Sequence, residues 1–161
     1  MIGQRAGCEV TLFDCEYKTR GVKSTETHIQ TVAAFRLSHV ILPGFQFAPE
    51  HILREISTVG STGQFKYETR LSGARCGDGN YFLRSQQVTA SALFNPEMLQ
   101  SFNGIGLEDQ SWLVEGNQQW LVICQPDDLM PPELYELFLR QSSQIAANIF
   151  GYARIKQAAS A

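Results

Sequence analysis

The stretch Cys8-Glu9-Val10-Thr11-Leu12-Phe13-Asp14-Cys15-Glu16-Tyr17, followed by His28-Ile29-Gln30-Thr31-Val32-Ala33-Ala34-Phe35-Arg36, decides the fold class. Both runs are rich in β-branched and aromatic residues, and the polar segment from Lys18 to Thr25, with one glycine, separates them. Two such runs around a polar, glycine-containing connection read as an antiparallel hairpin. No Asn-Gly pair fixes a two-residue turn, so the register stays open, and a one-residue slip would exchange the two faces.

Working outward, Leu42-Pro43-Gly44-Phe45-Gln46-Phe47 reads as a third strand entered through a Pro-Gly turn. A second hairpin is expected from Ser111-Trp112-Leu113-Val114-Glu115 and Gln119-Trp120-Leu121-Val122-Ile123-Cys124, joined at Gly116-Asn117, with Trp112 and Trp120 packing across it. Three local signatures, Ala48-Pro49-Glu50, Asn95-Pro96-Glu97 and Pro131-Pro132-Glu133, mark helix starts. Proline gives up no intrahelical bond in the first turn, and a glutamate beside it meets the positive end of the dipole. These place helices at 49–57, 96–103 and 131–150. In the last, Leu134, Leu137, Phe138, Ile145 and Ile149 form one apolar stripe, and Gly151 stands where a stop is expected, leaving 151–161 as a frayed tail.

The glycine-rich segment between Ser57 and Asn80 holds one short strand, Phe65-Lys66-Tyr67-Glu68; Tyr81 to Arg84 reads as a strand and Val88 to Phe94 as a short helix or turn. A loop as long as 57–80 in a compact domain is functional, mobile or hides an element. The whole predicts an α+β fold: one domain over 1–161 with its core at about 8–150. A mainly antiparallel sheet from two hairpins is covered by a long C-terminal helix and shorter ones.

Composition narrows the function classes. Of 161 residues, 43% are hydrophobic and 18% charged, which fits a globular domain and excludes low-complexity or coiled-coil chains. No apolar run approaches the roughly 20 residues of a membrane helix, and no charged segment followed by an apolar one after Met1 suggests a secretory signal. A net charge of −3 argues against nucleic acid as the partner. Cys8, Cys15, Cys76 and Cys124 show no CxxC spacing, and Cys8 and Cys15 point to opposite faces of one strand, so free thiols in a reducing cytoplasm are expected.

Candidate chemistry is sparse. His28, His39 and His51 lack metal-ligand spacing, so no metal site is nominated. Asp14 and Glu16 share a strand face and read as a solvated patch. Cys76-Gly77-Asp78-Gly79-Asn80 has the residues of a turn, without the repeated carboxylates of a calcium loop or a base beside the thiol. Asn103-Gly104-Ile105-Gly106 follows a helix where a dinucleotide motif would precede one, and no cofactor is implied. What remains is charge distribution. From Ser85 to Leu139 there is no Lys or Arg against eight acids, while Lys18, Arg20 and Lys23 make the first hairpin tip basic. Those three are the binding candidates, toward a protein partner or an anionic membrane surface.

The run Thr11-Leu12-Phe13-Asp14-Cys15-Glu16-Tyr17, then Gln30-Thr31-Val32, then Leu42-Pro43-Gly44-Phe45-Gln46-Phe47-Ala48-Pro49-Glu50 resembles a family of uncharacterised bacterial membrane-associated proteins. These pair "FDYxY…QTV" with "LPxFxLxPE", followed by "YxLRG" and "LFxPELL". The later segments correspond to Tyr81-Phe82-Leu83-Arg84-Ser85 and Leu93-Phe94-Asn95-Pro96-Glu97-Met98-Leu99, while Cys15 replaces the usual aromatic. The resemblance implies a cytosolic domain, tethered at the inner membrane in longer relatives, with no established activity and no functional residues to transfer. A non-catalytic interaction or regulatory domain is therefore expected. The alternative is a hydrolase or transferase using scattered residues near loop 57–80, marked by a deep pocket around Cys76, Asp78 or His28.

Overall fold

A computed structural model describes residues 1–20, 22–57, 65–76, 79–103 and 111–160. Among these residues eight strands form one sheet: β1 (Ile2–Arg5), β2 (Cys8–Arg20), β3 (Thr25–Arg36), β4 (Leu42–Pro49), β5 (Tyr67–Cys76), β6 (Gly79–Ser85), β7 (Leu113–Gln118) and β8 (Trp120–Cys124). Their order is β1-β2-β3-β8-β7-β4-β6-β5, and every neighbouring pair is antiparallel. Among the described residues three α-helices accompany it: α1 (Glu50–Ser57), α2 (Pro96–Asn103) and α3 (Tyr135–Ser160). The α+β class expected from the sequence is the one observed.

The pleat divides the sheet into two unequal cores. Residues in register across the strands, such as Leu12, Ala33, Ile123, Val114, Phe47 and Leu83, point to one face. There they meet α2, α3 and the 3-10 turn Val88–Leu93 in the main core. Phe47 lies between Tyr81 and Phe94, stacked at 4.6 and 5.1 Å, and Trp112 stacks on Phe138 at 5.7 Å. The alternate residues, Val32, Cys124, Leu113, Ala48 and Phe82, point the other way and pack under Ile52 and Leu53 of α1. Asn95 caps α2 through its Oδ1, which accepts the Met98 N–H at 2.8 Å, as a residue at that position should.

Several expectations change. The turn between β7 and β8 is at Gln118 and Gln119, two residues later than Gly116-Asn117, with Gln118 at φ 53°. Gly116 lies inside the strand, paired with Leu121, and is a glycine because a Cβ there would lie 2.2 Å from the Phe45 ring. A displacement of two residues keeps each side chain on its face but changes its partner. Trp120 therefore opposes Asn117 and lies under the Arg36 guanidinium, while Trp112 is wholly buried on the opposite face, so the two indoles do not pack together. Pro43-Gly44 forms no entry turn either; it sits inside β4 at a register shift against β7.

The apolar stripe of α3 begins at Phe138 and runs through Ile145, Ala146, Ile149, Phe150 and Ala153, whereas Leu134 and Leu137 are exposed. The helix does not stop at Gly151 but continues to Ser160. A glycine inside a helix costs about 1 kcal/mol. Burial of Ala153, packing of Tyr152 and donation by Gln157 Nε2 to the Ile41 carbonyl at 3.0 Å favour continuation. The segment 57–80 holds a ten-residue strand, β5, which the expected strand Phe65 to Glu68 overlaps only at Tyr67 and Glu68.

Candidate functional site

β2 and β3 pair along their whole length, from Glu9 opposite Arg36 to Arg20 opposite Thr25. β8 supports β3 only from Val32 to Arg36. The remainder, about 16–20 with 25–29, is a two-stranded arm projecting roughly 15 Å past the buried Gln30 and Thr31 at about 3.3 Å per residue.

Thr31 closes the base of the arm. Its N–H donates to the Asp128 carbonyl at 3.0 Å, and its hydroxyl donates to Asp14 Oδ1 at 2.7 Å and accepts the Met130 N–H at 2.9 Å. This buried hydroxyl ties both strands to the loop that follows β8. Higher up, the Tyr17 and His28 rings stack at 4.9 Å, and His28 Nδ1 lies 2.6 Å from Asp127 Oδ1. Asp14 and Glu16 are both exposed on that face, and Asp14 in addition accepts the hydrogen bond from Thr31.

At the far end are the three sequence candidates. Lys18 and Arg20 lie two residues apart on one face of β2, and Lys23 is in the connection; all three are exposed. Among the described residues, none of them enters a salt bridge. Glu26 belongs to the opposite face of the arm, and Val22 at the apex is fully exposed. The structure brings the three cations together at one tip.

Among the described residues, grooves open at the surface beside the arm and beside α1. One of about 610 Å³ follows the arm and is lined by Glu26, Thr27, His28, Ile29, Asp127 and Leu129. A smaller one of about 290 Å³ is lined by Pro49, Glu50, His51, Arg54, Gly79 and Asn80, where Arg54 pairs with Glu50 one helical turn away. Among the described residues no three His, Cys, Asp or Glu side chains are grouped to hold a metal ion. The Cys76 backbone belongs to β5, but its side chain, and residues 77–78 and 104–106 with their glycine motifs, lie outside the described residues.

A second polar feature escaped the sequence reading. Glu115 on β7, Gln46 on β4, Arg84 on β6 and Glu68 on β5 occupy one row on the α1 side of the sheet. Gln46 Nε2 donates to Glu115, Arg84 Nε donates to Glu68 at 2.8 Å, and Arg84 Nη1 donates to the Leu53 carbonyl at 2.9 Å. Burial pushes the Glu115 carboxyl above its ordinary range, and the Gln46 hydrogen bond partly offsets this. Four residues so far apart in sequence form no motif. The available signal was a glutamine at a position flanked by buried phenylalanines, Phe45 and Phe47.

Cys8, Cys15 and Cys124 are free. Burial raises the Cys8 thiol, and raises Cys124 much further, with the charges of Glu115, Cys15 and Asp127 acting in the same direction. Such thiols are poor nucleophiles. Among the described residues no helix is long and apolar enough to cross a membrane. No protein-family model matches this chain, and no curated protein or solved structure shows significant similarity to it.

Proposed function

We propose that this chain is a non-catalytic interaction domain whose projecting arm touches an anionic membrane surface from the cytoplasmic side. One observation carries the reading: three cations, outside any salt bridge among the described residues, are held together at the end of a lever remote from the body. Val22, fully exposed between Arg20 and Lys23, adds an apolar contact that suits lipid. The resemblance to membrane-associated bacterial proteins supports the same location. Each basic residue near an anionic bilayer contributes about 1 kcal/mol, so three give weak, salt-sensitive attachment suited to a domain already held nearby.

Sedimentation with phosphatidylserine-containing vesicles tests this. The wild type should pellet at low salt and largely dissociate at physiological salt, while a Lys18→Gln, Arg20→Gln, Lys23→Gln variant stays in the supernatant at both. Equal pelleting of the two proteins, or none at low salt, removes the membrane reading.

A further inference from the structure

The outer edge of β3 is open where the arm leaves the body. Thr31 N–H and Leu37 N–H both donate toward the β8 side, to Asp128 and Gln119. N–H and C=O groups alternate in direction along a strand. Thr25, Thr27 and Ile29 therefore aim their main-chain groups away from β2, and no described residue pairs with them. The 610 Å³ groove runs along this edge, with Ile29 and Leu129 exposed beside it. Natural edges are usually blunted by proline, lysine, a bulge or a covering loop. Over Thr25-Glu26-Thr27-His28-Ile29 there is no proline or lysine, and the pairing with β2 is regular.

We infer that this edge pairs with the same edge of a second copy of the chain, through a two-fold axis at Thr27. In an antiparallel register centred there, Thr25, Thr27 and Ile29 meet Ile29, Thr27 and Thr25 of the second copy as hydrogen-bonded pairs. The facing side chains agree with this. Thr27 meets Thr27, and Glu26 meets His28, both favourable cross-strand pairs. The ladder ends at Ile29, because the Asp128 main chain already takes the outer side of Thr31, and Lys23, two residues before β3 of one copy, then faces the loop of the other whose Asp127 and Asp128 are exposed. The basic tip of one arm thus meets the acidic loop of the other, twice by symmetry. A foreign strand would have to supply that charge pattern; a second copy carries it already. The contact is main-chain and in the plane of the arm, whereas Lys18 and Arg20 stand off its face, so the pairing does not depend on the membrane reading.

A short, polar contact of this kind gives a reversible dimer populated at concentrations on the order of 100 µM. Sedimentation velocity of the full chain, without vesicles, from about 5 to about 500 µM reads it. The wild type should shift from monomer to dimer, and the shift should weaken as salt rises. Thr27→Pro removes an N–H that β2 does not use, and should weaken dimerisation at least about tenfold. Lys23→Asp and Asp128→Lys should each weaken it, and the double exchange should restore it. Should Thr27→Pro lose the native circular dichroism spectrum, the charge exchange, made at two exposed positions, decides alone. A wild type monomeric throughout, a folded Thr27→Pro that dimerises normally, or a double exchange without recovery overturns the inference. So does a monomer whose Thr25, Thr27 and Ile29 amides are protected only by an added lysine-rich extended peptide, which would assign the edge to a foreign strand.

Discussion

The two ends of the β2–β3 ladder share one backbone pairing and live in different solvents. At the root, Val10, Leu12, Ala33 and Phe35 are buried against α3 and its neighbours. Beyond Thr31 the same ladder continues, but Ile29 and Glu16 are exposed and the tip is basic. Strand pairing alone does not create a core; a strand face becomes one when another element covers it. The arm is what remains where cover ends, and its free edge and charges are consequences of that.

The sharpest way to break the contrast is to damage the cover. Phe138→Ala removes the ring stacked under Trp112 and should cost about 3–5 kcal/mol, read as a lower urea midpoint with the slope retained. An unchanged midpoint would mean that α3 is not what makes the root a core.

The boundary offers a smaller perturbation. Thr31→Val keeps the shape but removes the hydroxyl shared by Asp14 and the buried Met130 N–H. The expected loss is about 1–2 kcal/mol, with faster amide exchange at Met130, because a buried donor is left unpaired. Wild-type exchange at Met130 would show that the loop is held to the arm by something else.

The opposite face supplies the smallest effect, and it depends on pH. The folded-state carboxyl of Glu115 titrates above its ordinary value. Below about pH 4 both folded and unfolded chains carry the proton and the group has no influence. As pH rises past that value the unfolded chain ionises first, so stability falls until the folded carboxyl also ionises. Glu115→Gln should leave the midpoint unchanged in acid and raise it near neutrality, flattening the profile between. Parallel profiles for the two proteins would deny any penalty for burying this carboxyl.

Particular residues show why some features were legible and others were not. The alternation in Cys8–Tyr17 and His28–Arg36 showed which residues of a strand share a face, since a period of two is a local property of extended backbone, but left open how the two strands pair. Asn95 announced its cap, and Lys18, Arg20 and Lys23 announced a charged tip, for equally local reasons. Gly116 misled because a glycine needed for a turn and a glycine needed for a passing ring look alike in sequence; only the position of Phe45, more than seventy residues away, separates them. β5 was largely hidden because its residues are mostly polar or glycine-flanked, and its partner β6 supplies the ladder.

By itself, then, the sequence determined the class of each strongly patterned element, which residues of a strand share a face and the charge at the hairpin tip, all set by residues within a few positions of one another. The tertiary structure decided the order of the eight strands, the turn at Gln118, the continuation of α3 past Gly151 and the row joining Glu115, Gln46, Arg84 and Glu68. It also decided where cover over β2 and β3 ends, and hence that an arm exists. These depend on which distant surfaces meet, and the free energy of burial belongs to the pair of surfaces rather than to either segment alone.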